Sequence, residues 1–243
     1  PTGPAPDVTS LPLQLGARAG GHRLRVDFAA DAPAQGHLTG AQIRLGWQAP
    51  AGVVSQHIRE AAALARRADV AIVAVRAYAS EHMDRPSTEL PNGQAELIRA
   101  VAAANPNTVV ISMSGGPIET RSWAGAVPAI LHAWYPGQEQ GSALARILFG
   151  DVNPSAKLPL TFPHDDTQSL LRTPRQYPGV GGTVAYEEGL EVGYRGFDAR
   201  GMEPAFAFGH GLSYTHFSYE ELELGVQDGQ IHVACVVRNA GAR

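Results

Sequence analysis

The spacing of apolar residues changes several times along the chain, and each change predicts a different element. In "AGGHRLRVDF" and "AQIRLGWQAP", within the first fifty residues, apolar and polar positions alternate near glycines, which is typical of antiparallel strands. From Ser55 the apolar positions recur at helical spacing through "SQHIREAAALARRAD", and the continuous apolar run "VAIVAVRA" follows at once. A helix that leads directly into a buried strand is the repeating unit of an α/β fold.

The alternation of helix and strand then continues over the next eighty residues. The helix after "VAIVAVRA" is expected to stop near Asn105 and Pro106, and a later one at Gly150. The predicted elements are, in order, the helix "GQAELIRAVAAANPN", the strand "TVVISMSG", the apolar run "AVPAILHAWY", the helix "GQEQGSALARILFG" and a proline-containing edge strand "AKLPLTFP" at residues 156–163. Nearly continuous apolar strands between helices predict an α/β domain with a mostly parallel sheet sandwiched by helices.

The last eighty residues have a different pattern. Periodicity fades over residues 163–211, where Pro, Gly and aromatic residues dominate, and we expect a long irregular segment that carries function or packs across another domain. After it, "FSYEELELGVQDGQIHVACVVRN" is typical of two strands joined by a turn at Asp228 and Gly229. Two strands alone are marginally stable, so we expect them to begin a larger β-sandwich.

Composition narrows the possible classes of function. The 243 residues are 44% hydrophobic, carry a net charge of -4 and contain no block of Lys or Arg, so we expect neither nucleic acid nor a membrane surface as partner. The single cysteine, Cys235, excludes an intramolecular disulfide and a cysteine zinc site. The sequence has no run of eighteen apolar residues and no charged-then-apolar pattern at Pro1, so we expect neither a membrane span nor a targeting segment in it. The opening "PTGPAPDVTS" is typical of a linker within a longer polypeptide.

Charged residues are concentrated in the loop "ASEHMDR", directly after the strand "VAIVAVRA". In parallel sheets the ligand crevice lies beyond the carboxyl ends of the strands, where this loop would lie. Glu81 could act there as a general acid if its pKa were raised, or it could be a solvated residue paired with Arg85. Asp84 and Arg85 are expected to form an ion pair that fixes the loop. His82 has no second histidine at ligand spacing, so we expect no metal.

Other motifs allow alternative interpretations. "SGGPIET" lacks the lysine and the glycine spacing of a phosphate-binding loop. Trp123, Trp134 and Tyr135 could stack on a sugar or simply pack in the interior. Tyr135 could also line the entrance to a site or brace an interface.

Three long stretches of the chain resemble the carboxyl-terminal α/β sandwich domain of glycoside hydrolase family 3, the β-glucosidase family. They are "ASEHMDRPSTELPNGQAELIRAVAAANPNTVV", "AILHAWYPGQEQGSALARILFGDVNPSAKLPLTFP" and "YEEGLEVGYRGFDARGMEPAFAFGHGLSYTHFSYEEL". The beginning resembles the end of a protective-antigen-like domain that some members carry inserted, and the end resembles the start of a fibronectin-III-like domain. The expected parts are 1–50, the end of the protective-antigen-like β domain; 51–163, the α/β sandwich; 164–215, an irregular segment packing on the sandwich and on missing domains; and 216–243, the first fibronectin-III-like strands.

The resemblance implies a retaining mechanism, with an aspartate nucleophile in an amino-terminal TIM barrel and a glutamate acid/base in the sandwich domain. In many members that glutamate lies in a Gly-Glu-Gly-x-Asp-Arg loop, and "SEHMDR" keeps Glu, Asp and Arg in register. The acid/base role thus carries over to Glu81, with Asp84 and Arg85 supporting the loop. Both flanking glycines are replaced, by Ser80 and His82. The barrel has no counterpart in this chain, so the nucleophile must come from elsewhere in the polypeptide or from a second chain.

The resemblance therefore predicts the carboxyl-terminal part of a retaining exo-β-glycosidase of the β-glucosidase type. Its substrate would be a terminal β-linked sugar on an oligosaccharide or a glycosylated small molecule, and no cofactor is implied. The family favours a secreted or periplasmic location. One alternative is a non-catalytic carbohydrate-binding or scaffold part of such a protein. Another is a nucleotide-dependent α/β enzyme, against which the missing phosphate motif argues.

Overall fold

A computed structural model describes residues 54–79 and 85–243 of the chain. The predicted β segments of residues 1–50, and Glu81 and Asp84 of the charged loop, lie outside the described residues. The described helices and strands of the first part are α1 (Gln56–Ala65), β1 (Ala71–Arg76), α2 (Gln94–Ala104), β2 (Thr108–Met113), β3 (Ala129–His132) and α3 (Gln140–Leu148). None of the helices in the described ranges is long and apolar enough to cross a membrane.

The three strands form one parallel sheet in the order β1-β2-β3, which confirms the predicted α/β class. Val110 of the central strand β2 lies between Val73 of β1 and Ile130 of β3. Because β2 has a neighbour on each side, most of its residues are buried. Buried and exposed residues alternate along β1, where Ile72 is 53% exposed. That alternation shows that one face of β1 packs on the core, while its other face is open among the described residues.

Helices α1 and α2 pack together, and apolar side chains from α2 and the sheet form the core. Ile98 of α2, Val75 of β1 and Val110 of β2 are almost completely buried, as is Trp123 from the loop after β2. Burying side chains of this size stabilises the fold by about 1.5 to 3 kcal/mol each. The core therefore holds the sheet rigid, so that the ends of its strands can position other groups.

At the amino edge of the sheet, Asn105 connects the chain segments around α1 and α2. Helix α2 ends at Ala104, which confirms the predicted stop. The buried Asn105 side chain donates to the backbone oxygens of Ala65 (3.0 Å) and Ala68 (2.7 Å) and accepts from the Asn107 amide (2.8 Å). One amide thereby bonds to three backbone groups of this short connection, of which Ala65 O also accepts from the Ala68 N–H (3.1 Å).

The prediction of an edge strand at residues 156–163 is wrong. Leu158 and Phe162 do make backbone hydrogen bonds, but to residues 206–210 and not to the parallel sheet: Leu158 N–H donates to His210 O (2.8 Å) and Phe162 N–H to Phe206 O (2.8 Å). Pro159 and Pro163 alternate with Leu158 and Phe162, so their nitrogens face away from residues 206–210 and have no N–H to donate to a strand on the other side. The segment therefore makes isolated backbone hydrogen bonds with the later part of the chain and forms no regular strand.

The predicted third helix begins later than its sequence indicates. Gly137, at the expected start, has a φ of 73°, in the left-handed region, and the helix begins at Gln140. The residues from Pro136 to Glu139 thus form a turn after β3. This turn extends the loop at the carboxyl end of β3.

The later part of the chain is largely irregular, as predicted, but it contains an unpredicted turn of 3-10 helix at Asp166–Gln168 and a short α-helix, α4 (Tyr194–Ala199). The expected hairpin is present as β4 (Phe217–Gln227) and β5 (Gln230–Asn239). Asp228 and Gly229 both have positive φ in its turn, which confirms the predicted position. Its apolar side chains are exposed, Leu224 by 71%, within the described residues. That the hairpin begins a fibronectin-III-like domain stays a prediction.

Candidate active site

The carboxyl ends of β1, β2 and β3 meet at one edge of the sheet because the strands are parallel. Backbone bonds extend the ladder by one residue on each side of β2: Ala77 N–H donates to Met113 O (3.0 Å), and Ala133 N–H donates to Ser112 O (2.8 Å). Beyond these bonds the three strands lead into separate loops. The predicted charged loop, the "SGGPIET" loop and the "WYPGQEQ" loop therefore leave from a common edge, as expected from the parallel arrangement.

Gln94 fixes the end of β1 to the start of α2. Its side-chain amide accepts from the Arg76 N–H (2.8 Å) and donates to Arg76 O (2.8 Å), and it also donates to Pro91 O (2.9 Å). The two bonds to Arg76 imitate those of a neighbouring strand. They hold the point where the chain leaves the sheet, although Gln94 carried no such signal in the sequence.

Tyr135, from the loop after β3, reaches across to the chain that leaves β1. Its hydroxyl donates to Ala77 O (2.8 Å) and accepts from the Ala79 N–H (3.1 Å). Its ring lies against Gly115, where an added Cβ would be 2.9 Å from Tyr135 Cε2. These contacts brace the segment before residues 80–84, while sugar stacking, lining of an entrance and bracing of an interface by Tyr135 stay predictions.

Arg85 holds the chain on the other side of residues 80–84. Its Nη2 donates to Pro117 O (2.5 Å) in the loop after β2. Its Nη1 is buried and has no hydrogen-bond partner among the described residues. The predicted ion pair with Asp84 stays a prediction, since Asp84 lies outside those residues.

Asp166 provides a further anchor for the connection between β1 and α2. Its carboxylate accepts from Ser87 Oγ (2.5 Å), from the Thr88 N–H (2.9 Å) and from Thr88 Oγ1 (2.6 Å). Partial burial raises the pKa of Asp166, but the hydrogen bonds from Ser87 and Thr88 more than offset it, so that its pKa lies below the ordinary value. Sequence analysis missed this residue because "DDTQ" looks like an ordinary turn within an aperiodic segment.

Glu119 closes the "SGGPIET" loop on itself. This buried carboxylate accepts from the Ser122 N–H (2.7 Å) and from Ser122 Oγ (2.9 Å), and its backbone oxygen accepts from Trp123 Nε1 (2.8 Å). The loop leads into a single turn of 3-10 helix at Ala124–Ala126 and not into an α-helix. It therefore lacks the helix N-terminus that a phosphate-binding loop uses, and Trp123 is a core residue and not a sugar-stacking one.

His132, the last residue of β3, lies in an apolar layer beneath this edge. Its Nδ1 is 2.9 Å from Ser112 Oγ, and its ring makes edge contacts with Trp134 and Phe162 at centroid distances of 4.4 Å and 5.0 Å. Burial lowers the pKa of His132 to about 4. The imidazole is consequently neutral near pH 7 and acts as part of the packing. Trp134 shares this layer.

An open cleft of about 510 Å³ lies between the loops that follow β1 and β3. Arg76 lies over the Tyr78 ring, with its guanidinium carbon 5.9 Å from the ring centroid. The lining residues are Arg76, Tyr78, Ala79, Met113, Tyr135, Pro136, Gly137 and Gln140. Among the residues that the structure describes, no group of three or more His, Cys, Asp or Glu side chains is placed to hold a metal ion.

The sequence and the fold match those of known glycosidases. The profile of the glycosyl hydrolase family 3 C-terminal domain matches residues 9–214. A β-glucosidase from Rhizobium radiobacter is 42% identical over 239 residues, covering 95% of this chain and 29% of that protein. Thermostable β-glucosidase B from Acetivibrio thermocellus is 42% identical over 78% of this chain and 26% of its own length.

Solved structures give the same result. A β-glucosidase from Streptomyces venezuelae in complex with D-glucose superposes with a TM-score of 0.74 and 43% identity, over 76% of this chain and 24% of that one. A family 3 β-glucosidase from Bifidobacterium adolescentis has a TM-score of 0.72 and 34% identity, over 79% of this chain and 29% of that one. The chain belongs to glycoside hydrolase family 3, as its carboxyl-terminal domain. It spans less than a third of the length of these relatives.

Proposed function

We propose that this chain is the carboxyl-terminal part of a retaining exo-β-glycosidase of the β-glucosidase type, and that Glu81 is its general acid/base. The relatives named above are β-glucosidases, and one of the solved structures contains D-glucose. Because the chain spans less than a third of their length, we assign the aspartate nucleophile to an amino-terminal TIM-barrel part. The substrate is a terminal β-linked sugar on an oligosaccharide or a glycosylated small molecule.

The observation that carries this proposal is the anchoring of the chain on both sides of residues 80–84. Before them, the Ala79 N–H is bound to Tyr135; after them, Arg85 is bound to Pro117 O and Thr88 to Asp166. A proton donor must lie within hydrogen-bond reach of the oxygen that it protonates. A short segment held at both ends on a rigid sheet supports such a role, because a misplacement of about 1 Å can cost 100-fold in rate.

The proposed chemistry has two steps. In the first, the Glu81 carboxyl group donates its proton to the glycosidic oxygen as the bond to the anomeric carbon breaks and the aspartate forms a bond to that carbon. In the second, the Glu81 carboxylate takes a proton from a water molecule, which attacks the anomeric carbon and releases the aspartate. The two carboxyl groups must lie about 5 to 5.5 Å apart for this double displacement. Asp84 and Arg85 are proposed to support the loop.

The test is Glu81→Gln in the full-length protein, with two substrates that differ in their need for acid assistance. An alkyl β-glucoside has a poor leaving group, so kcat/KM should fall by about 10² to 10⁴. The dinitrophenolate of a dinitrophenyl β-glucoside can leave without being protonated, so cleavage of that glycosidic bond should be affected far less. The matched control is Glu89→Gln, an exposed glutamate of the same connection between β1 and α2, which should leave both rates unchanged.

An unimpaired rate on the alkyl glucoside would contradict the role of Glu81. If the wild-type protein bound the sugar but hydrolysed no β-glycoside, the alternative of a carbohydrate-binding or scaffold part would be favoured instead.

A further inference from the structure

We propose that Tyr135 is a positioning residue for the acid/base, because its hydroxyl sets the path of the chain into residues 80–84. This inference rests on the role proposed for Glu81, which lies two residues after Ala79. Tyr135 itself contacts backbone groups, so it acts through the loop and not on the substrate.

The hydrogen bonding at the end of β1 shows how Tyr135 directs the chain. Regular pairing with β2 ends where Arg76 lies opposite Met113, and the bond from the Ala77 N–H to Met113 O is the last one between the two strands. The next acceptor, Ala77 O, and the next outward donor, the Ala79 N–H, are both bound by the Tyr135 hydroxyl. The phenol thus replaces the missing neighbouring strand for two further residues.

The position of the Tyr135 phenol is itself fixed by its surroundings. Its ring packs so closely on Gly115, beyond the end of β2, that a Cβ there would lie 2.9 Å from Tyr135 Cε2. The preceding residue, Trp134, has a φ of 53°, a left-handed conformation that non-glycine residues seldom adopt. A tyrosine ring has only two side-chain torsions, so these constraints determine where the hydroxyl lies. Tyr135 thereby joins the ends of all three strands.

A positioning role predicts a larger effect on chemistry than on folding. Tyr135 is 49% exposed, so water can satisfy Ala77 O and the Ala79 N–H once the hydroxyl is removed. The segment before Glu81 would then be free to shift, and proton donation depends steeply on distance. We therefore expect Tyr135→Phe to impair the substrates that need acid assistance most.

The experiment measures kcat/KM of full-length Tyr135→Phe over a series of aryl β-glucosides whose phenols range from strongly to weakly acidic. We expect a loss of about 10-fold for the weakly acidic phenols and little loss for the strongly acidic ones, so that the dependence on leaving-group acidity becomes steeper. The basic limb of the pH profile of kcat/KM should also shift, because the environment of the acid changes. An unchanged dependence and an unchanged pH profile would overturn the inference.

Tyr214→Phe is the matched control for loss of a hydroxyl. Tyr214 is 46% exposed, and its hydroxyl donates to Ile147 O at 2.8 Å, the same distance as from Tyr135 to Ala77 O. Ile147 lies in the last turn of α3 and not in the loops at the carboxyl edge. This control should lower the melting temperature no more than Tyr135→Phe, since it loses one bond where Tyr135→Phe loses two, and it should not change the leaving-group dependence. An equal change in that dependence in both variants would overturn the inference.

A second variant displaces the Tyr135 ring without changing Tyr135 itself. Gly115→Ala should displace the ring and produce the same leaving-group dependence as Tyr135→Phe, but it should add nothing in a Tyr135→Ala background, where no ring remains. Gly125→Ala is the control, since a Cβ there would meet nothing within 4 Å, and it should leave the leaving-group dependence unchanged.

The two proposals fail separately. If Glu81→Gln changes the leaving-group dependence and Tyr135→Phe does not, only the positioning role is wrong. If Glu81→Gln leaves that dependence unchanged, the acid/base assignment is wrong and the positioning role falls with it.

Discussion

Hydrogen bonds from side chains to the backbone occur at both edges of the parallel sheet, but they have different roles at the two edges. At the amino edge the connections are short: α1 ends at Ala65 and β1 begins at Ala71, with the buried amide of Asn105 satisfying the backbone between them. At the carboxyl edge the loops are long and partly exposed, and Tyr135, Arg85 and Asp166 fix single points along them. The amino edge stabilises the fold, and the carboxyl edge sets geometry. Substitutions at the two edges should therefore differ in what they change.

The largest loss of stability is expected at the amino edge, from Asn105→Ala. It removes hydrogen bonds to Ala65 O, Ala68 O and the Asn107 N–H in a buried site, which we expect to cost about 2 to 4 kcal/mol. Amide hydrogen exchange in β1 and β2 measures this loss locally, without requiring the whole protein to unfold in one step.

Asn107→Ala is the control for Asn105→Ala, because the Asn107 side chain makes one exposed bond, to Asp69 O (3.1 Å). It should cost less than about 1 kcal/mol. The folded fraction of Asn105→Ala should keep the wild-type leaving-group dependence. A change in that dependence would contradict the separation of the two edges.

His132 is expected to have a smaller effect on stability, and this effect should depend on pH. The apolar layer that contains it, beneath the carboxyl edge, thus also contributes to stability. Burial lowers the folded pKa of His132 to about 4 from 6.5, so between these values the unfolded chain binds a proton that the folded chain does not. Stability should therefore fall as the pH decreases through this window. The full shift corresponds to about 3 kcal/mol, and we expect about 1 to 2 kcal/mol because the ring is partly exposed.

His132→Asn tests this pH dependence, since asparagine can still bond to Ser112 but does not titrate. Hydrogen exchange in β2 and β3, measured above and below pH 6.5, gives the difference between variant and wild type. An equal loss of stability in both on acidification would rule out His132 as its source.

The smallest effect is expected from Asp166→Asn, at about 1 kcal/mol, because Asp166 is exposed and asparagine keeps one acceptor oxygen. The pKa of Asp166 is depressed in the folded state, so its contribution is present above the ordinary carboxyl pKa and is lost as the pH falls through the folded value. Hydrogen exchange at Thr88 should report the change directly. Asp151→Asn, at another exposed aspartate, should have no such effect; equal exchange in the two variants would argue against the anchor.

The sequence predicted the elements whose evidence is local. The alternation of α1, β1, α2 and β2 follows from apolar periodicity, and the hairpin turn follows from Asp228 and Gly229. The wrongly predicted strand at residues 156–163 has suitable apolar residues, but its backbone partner lies near residue 206 and not in the parallel sheet. Only the fold could reveal that partner.

The contacts around the candidate site were harder to predict, because they join distant parts of the chain. Tyr135 is 58 residues from Ala77, and Asp166 is 79 residues from Ser87. No spacing rule connects such pairs, and Asp166 lies in a segment without periodicity. The assignment of Glu81 as acid/base depends on the family resemblance, since a carboxylate in a loop after a strand is equally typical of a solvated residue.

The most direct measurement of the central claim, that Glu81 is the acid/base, is chemical rescue of Glu81→Ala in the full-length protein. With an activated aryl β-glucoside, the glycosyl-enzyme should form but hydrolyse slowly, because no base activates the water. Added azide needs no base: it should attack the anomeric carbon, accelerate turnover and yield the β-glucosyl azide. Absence of acceleration and of azide product, in a variant that hydrolyses alkyl glucosides as fast as the wild type, would contradict the account.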